Sequence, residues 1–155
     1  MIQRIQSIYL LLTTILSGLF LTGTIFKLNS VKAPEIILNF RGLFEVTGDN
    51  SFQMTGNMIP VTIASVLVPL ISLISVFLYR HRNLQLKVTL ALIILELLFI
   101  AAIAYYTVHF MMHFDASLVP GFRMFIPFIS FILSILAYRG IRNDENLVRS
   151  YDRLR

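Results

Sequence analysis

The stretch Val88–Phe110, VTLALIILELLFIAAIAYYTVHF, decides the fold class. It is broken by a single acid, Glu96. About 20 apolar residues rising ~1.5 Å each cross a hydrocarbon layer of ~30 Å. This run is long enough, and Glu96 does not exclude it. Each of the surrounding Leu, Ile, Val and Phe residues favours insertion by roughly 0.3–0.6 kcal/mol, against a cost of about 3 kcal/mol for one central charge. The apolar side wins.

Three more runs flank it. Ile5–Phe26 and Met58–Tyr79 carry no charge, and Leu118–Tyr138 carries only Arg123 near its start. The composition agrees. Of 155 residues, 57% are hydrophobic and 14% charged, and mean hydropathy is +0.79. Soluble domains carry about 25% charge. The expected fold is therefore an all-α membrane protein: a four-transmembrane-helix bundle with spans near 5–26, 58–79, 88–110 and 118–138. The first run has a cation ahead of it, as a signal peptide does, but a cleavable apolar core is usually about 7–15 residues. It reads as a retained anchor. Cysteine is absent, which excludes disulfide scaffolds, thiolate metal sites and thiol redox chemistry.

Charge sets the expected orientation. Arg4, Arg80, Arg82, Lys87, Arg139, Arg142, Arg149, Arg153 and Arg155 share one side with Asp144, Glu145 and Asp152, a net of +6. Lys27, Lys32, Arg41 and Arg123 share the other with Glu35, Glu45, Asp49 and Asp115, a net of zero. An excess of Lys and Arg marks the cytoplasmic face, so both termini and the 80–87 loop are expected inside. The basic pI of 9.9 is explained by anionic lipid and requires no nucleic acid. The outer segment 28–57 holds β-rich pieces around Glu35–Phe40, Gly42–Val46 and Ser51–Met54, with a turn at Thr47–Asn50. It predicts a small hairpin or three-stranded sheet on the membrane face.

Within the bundle, small and hydroxyl residues mark helix contacts. Thr14, Gly18 and Thr22 form a ridge on the first helix. Ser65, Ser72 and Ser75 follow one side of the second, and Ser130, Ser134 and Ala137 one side of the fourth. Pro69 and Pro127 should bend their helices, while Pro60 suits a helix start. Glu96 is the intramembrane polar residue. It reads either as a proton or cation site or as a hydrogen-bonded group holding helices together. The sequence places it toward the inner face, with no second ionisable group at its depth. His109 and His113 are four residues apart with Asp115 nearby, a spacing that could hold a metal. No further ligand is evident, and no cofactor is expected; haem would need histidines on facing helices. Tyr105 and Tyr106 fit an interfacial aromatic belt.

The tail 139–155 is charged but patterned. Leu147, Val148, Tyr151 and Leu154 repeat at helical spacing among Arg139, Arg142, Arg149 and Arg153. This predicts a short amphipathic helix along the cytoplasmic surface, docking on lipid or a partner.

The opening MIQRIQSIYLLL, the loop RHRNLQLK at 80–87, and the tail segments at 138–145, 147–150 and 152–155 resemble the bacterial "domain of unknown function 4293" family. That resemblance covers the whole chain. It implies a small four-span protein of the bacterial inner (cytoplasmic) membrane and assigns no activity. The outer segment is also similar in architecture to claudin-type proteins, without their paired loop cysteines and Trp.

Three functions remain open. The leading expectation is a non-enzymatic accessory or structural subunit of a larger inner-membrane complex, its partners being the bilayer and other membrane subunits. The second is a small proton- or ion-coupled transporter or channel using Glu96. The third is a claudin-like structural protein acting through its outer loop.

Overall fold

The computed structural model describes residues 5–29, 36–47, 51–114 and 117–152. Four helices dominate: α1 (Ile5–Phe20), α2 (Ile59–Phe77), α3 (Arg82–Phe114) and α4 (Ile126–Asp152). Each packs on its chain neighbours, and α4 closes the ring against α1. The second, third and fourth are long and apolar enough to cross a membrane. The first is apolar but only 16 residues, about 24 Å at helical rise.

A five-stranded antiparallel sheet caps one end of the ring. Its strands are β1 (Thr24–Asn29), β2 (Ile36–Asn39), β3 (Gly42–Thr47), β4 (Ser51–Asn57) and β5 (Ser117–Pro120), ordered β4-β3-β2-β1-β5. The expectation of an all-α protein with a two- or three-stranded loop needs correcting in two ways. The sheet is larger, and its last strand comes from the short α3–α4 connection, which pairs Ser117–Pro120 with Phe26–Asn29. An isolated hairpin is marginal in water; here the sheet gains support from the bundle end. Ile25, Phe26, Leu28, Ile36, Leu38, Leu43 and Met58 are buried beneath it. A register shift between Thr24 and Phe26 lets Ile25 and Phe26 both point inward, which strict alternation forbids. The β2–β3 turn, Phe40-Arg41, enters a glycine at φ 148° (Gly42), a value that excludes most side chains. Thr62 of α2 donates to the Phe40 carbonyl at 2.8 Å and ties this turn to the bundle.

The apolar run 5–26 therefore divides. Leu21 N–H and Thr22 N–H bond to Gly18 O and Leu19 O, tightening the last turn, and the Thr22 hydroxyl takes Leu19 O as well at 2.8 Å. The chain then leaves the helix for β1. The run 118–138 divides too: β5, a short 3₁₀ turn at Phe122–Phe125, then α4. Gly121 sits between them because Ile25 O would lie 2.5 Å from any Cβ there. Pro127 is consequently a helix-start residue rather than an interior kink, while Pro60 and Pro69 stand as expected at the start of α2 and within it. The tail is not a separate surface helix. It continues α4 unbroken to Asp152, since nothing between Tyr138 and Asp152 is a proline.

At the end remote from the sheet, Gln6 donates to Asp144 at 2.6 Å, joining the first turn of α1 to α4. Gln85 of α3 caps the exit of α2 by donating to Ser75 O at 3.0 Å, and the Ser75 and Thr89 hydroxyls meet at 2.9 Å. The Gln85 bond supplies a partner to a carbonyl at the end of α2, where the chain tightens into the 3₁₀ turn at Leu78–Arg80.

Candidate functional site

The four helices enclose one small chamber within the ring, walled almost wholly by carbon. Its volume is about 10 Å³, and its lining includes Ser17 and Phe20 of α1, Ser65 and Val68 of α2, Glu96 and Phe99 of α3, and Ile126, Pro127 and Ser130 of α4. Each helix contributes one hydroxyl or carboxyl. Glu96 is 1% exposed. Neither of its carboxyl oxygens has a hydrogen-bond partner, and the hydroxyls of Ser130 and Ser134 have none either. Ser134, one turn further along α4, bears on the same carboxyl without reaching hydrogen-bonding geometry. A buried polar group left unpaired costs about 1–3 kcal/mol, so this cluster is an exception among the bundle's polar residues. Elsewhere they are satisfied: Thr14 donates to Ser72 at 3.0 Å, and Ser72 to Leu10 O at 2.8 Å.

The hydroxyl protons of Ser17 and Ser65 are already committed. Ser17 donates to Thr13 O at 2.6 Å and Ser65 to Thr62 O at 2.8 Å. Neither is therefore left to donate to Glu96. The aromatic floor is Phe20 set edge-on to Phe99, with ring centroids 5.3 Å apart.

Glu96 lies toward the sheet end of the ring, among the last turn of α1 and the first turns of α2 and α4. Along α3 itself it stands near the middle, 14 residues after Arg82 and 18 before Phe114.

The ridge Thr14–Gly18–Thr22 is not the inward face of α1. That face is Leu10, Thr13, Ser17 and Phe20, rotated by one residue. Thr14 still reaches α2 through Ser72, but Thr22 is exposed beyond the helix, and a Cβ on Gly18 would meet nothing within 4 Å. Gly18→Ala should thus leave packing intact and gain up to ~1 kcal/mol of helix stability, read as an unchanged or raised unfolding midpoint in detergent. A drop would restore the small-residue ridge. Ser17 could have been found from its four-residue spacing to Thr13.

His109 and His113 are exposed. Their rings stack along the outside of α3 with Tyr105, centroids 6.0–6.4 Å apart. Among the described residues no three His, Cys, Asp or Glu side chains gather as a metal site; Asp115 lies outside the described residues. Tyr105 and Tyr106 pack edge-to-face at 5.5 Å. Arg139 and Arg142 are exposed on α4. Leu147, Arg149 and Tyr151 fall within the same helix, and Arg153 lies outside the described residues.

A family model described as "Domain of unknown function (DUF4293)" matches residues 2–154. No curated protein matches the chain.

Proposed function

Since the chain belongs to the DUF4293 family, to which no activity is attached, we propose from its own residues that it is a non-enzymatic, four-span protein of the bacterial inner membrane, an accessory or structural subunit of a larger complex. One observation carries this reading: the apolar girdle runs round all four helices, α1 included. Ile8, Leu11, Ile15 and Leu19 are as exposed as Ile63, Leu70, Leu97 and Ile132. Contiguous exposed apolar surface on this scale needs lipid or protein against it. A 16-residue helix continued by the capping sheet spans with modest local thinning of the bilayer. Inside, a few polar side chains tie neighbouring helices together, Thr14 with Ser72 and Ser75 with Thr89, which suits a scaffold. The termini and the 80–87 loop, carrying the Arg excess, belong in the cytoplasm.

The cysteine-free sequence makes the topology directly testable. Single cysteines at Gln3, Asn57, Asn83 and Asn146, probed with a membrane-impermeant maleimide, should label from outside only at position 57. The other three should label only after permeabilisation. Outside labelling at position 3 would mean that α1 does not cross. Solubilisation in mild detergent followed by cross-linking and mass spectrometry should recover a stoichiometric membrane partner; a lone monomer would remove the subunit reading.

A second reading is favoured by the unpaired carboxyl in the ring. Intramembrane acids facing a bundle interior serve ion pathways, and Glu96 is placed as a coupling residue would be.

A further inference from the structure

At the end of the ring remote from the sheet lies a larger cavity, of about 350 Å³. That volume is within the range of small-molecule sites, about 300–1,000 Å³. Its polar wall includes Gln6 and Ser7 of α1, Tyr79 and Arg80 of the 3₁₀ turn, Arg82 of α3 and Asp144 of α4. We propose that it holds the headgroup of a membrane phospholipid that carries both a phosphodiester and a primary ammonium, as phosphatidylethanolamine does. Arg80 and Arg82 take the phosphate, and Asp144 takes the ammonium. The proposal needs this end to lie at a membrane surface, which the labelling of position 83 tests separately. It rests on neither the subunit reading nor the ion-coupling one.

The cations come first. Arg82 is half-buried and Arg80 exposed, and among the described residues neither guanidinium has an ion-pair or hydrogen-bond partner. His81 separates them at φ −112°, ψ 75°, yet both line the same cavity. A guanidinium fork matches phosphate oxygens. The helix α3 also begins here, and the unsatisfied N–H groups of its first turn favour an anion. Basic pockets between membrane helices bind lipid headgroups by this chemistry.

The acid selects among lipids. Asp144 faces the same cavity without pairing to either arginine. Its Oδ2 accepts from Gln6 at 2.6 Å, which fixes the carboxylate in place. Gly140, one turn earlier on α4, permits this approach, since a Cβ there would lie 2.6 Å from Cγ of Gln6. A headgroup with phosphate alone would leave a carboxylate facing an anion. A primary ammonium brings three N–H donors to it, and a trimethylammonium brings none. The acyl chains have a surface to follow: the neighbouring Ile5, Ile8, Phe77 and Leu84 are 50–71% exposed, and Tyr79 is placed as an interfacial aromatic is.

The test uses the intact chain, delipidated in mild detergent. Phosphatidylethanolamine, phosphatidylglycerol and phosphatidylcholine with identical acyl chains are added singly, and bound lipid is counted by native mass spectrometry. The ethanolamine lipid should bind about 3–5-fold more tightly than either other, the worth of one partly exposed ion pair. Asp144→Asn keeps an oxygen for Gln6 to bond and should erase that preference without weakening phosphatidylglycerol. Arg80→Gln with Arg82→Gln should weaken the ethanolamine lipid about 10-fold or more, as expected for lost hydrogen bonds to a charged group. The ranking is read on the natural protein and so stands apart from the folding of any variant. Phosphatidylglycerol bound as tightly as phosphatidylethanolamine overturns the proposal, as does an unchanged preference in Asp144→Asn. Displacement of the lipid by soluble glycerophosphoethanolamine would assign a water-soluble ligand and overturn the membrane source.

Discussion

Phe20→Ala should lower the stability of the bundle by about 3–5 kcal/mol, a shift of order 10 °C in the unfolding midpoint for a chain of this size. Phe20 is 1% exposed at the last turn of α1. It packs edge-on against Phe99 and walls the chamber that holds Glu96. Lipid is as apolar as a protein core, so helices in a membrane are held by close packing rather than by hydrophobic transfer. A phenyl ring with neighbours on every side supplies much of that packing, and its removal leaves a void that other side chains on rigid helices fill only in part. The void also joins the chamber. Water should then reach the Glu96 carboxyl. Phe20→Leu keeps most of the volume and should cost under ~1.5 kcal/mol. Leu19→Ala is the control: Leu19 faces outward at 50% exposure and its truncation should shift stability by no more than ~0.5 kcal/mol. Equal effects at positions 19 and 20 would mean that the inward face of α1 is misassigned.

What could be read from the residues alone follows a physical divide. The middle helices were legible because their apolar runs have charged or proline boundaries: α2 has Pro60 in its first turn and ends at Phe77, just before the turn that carries Arg80. The division of the runs at 5–26 and 118–138 was not, because hydropathy cannot separate a lipid-facing helix from a buried strand. Thr24-Ile25-Phe26 and Leu118-Val119 are as apolar as the helices they adjoin, and only the pairing of β1 with β2 and of β5 with β1 makes them strands. The β1–β5 pairing joins residues some ninety positions apart, which no local signal reports. The rotation of α1 was missed for a related reason. Thr13 and Thr14 are adjacent, both fit a small-residue ridge, and the choice between them depends on where α2 and α4 sit. Glu96 itself was evident as the lone acid in hydrocarbon, but the chamber was not, since it is assembled from one serine on each of three other helices.

Glu96→Met should raise the stability of the protein by about 1–3 kcal/mol, the size of the penalty for an unsatisfied buried polar group. The expectation follows from Glu96 having no hydrogen bond at either oxygen while standing 1% exposed. Methionine has similar length, no charge, and the flexibility to fill an irregular space. Were the carboxyl a fastener between helices, bonded to Ser130 or Ser134, its replacement would strand those hydroxyls and lower the midpoint instead. The two roles thus predict opposite signs in one measurement, thermal unfolding in mild detergent. A methionine variant that is less stable than the natural protein would make Glu96 a structural acid that fastens helices and nothing more.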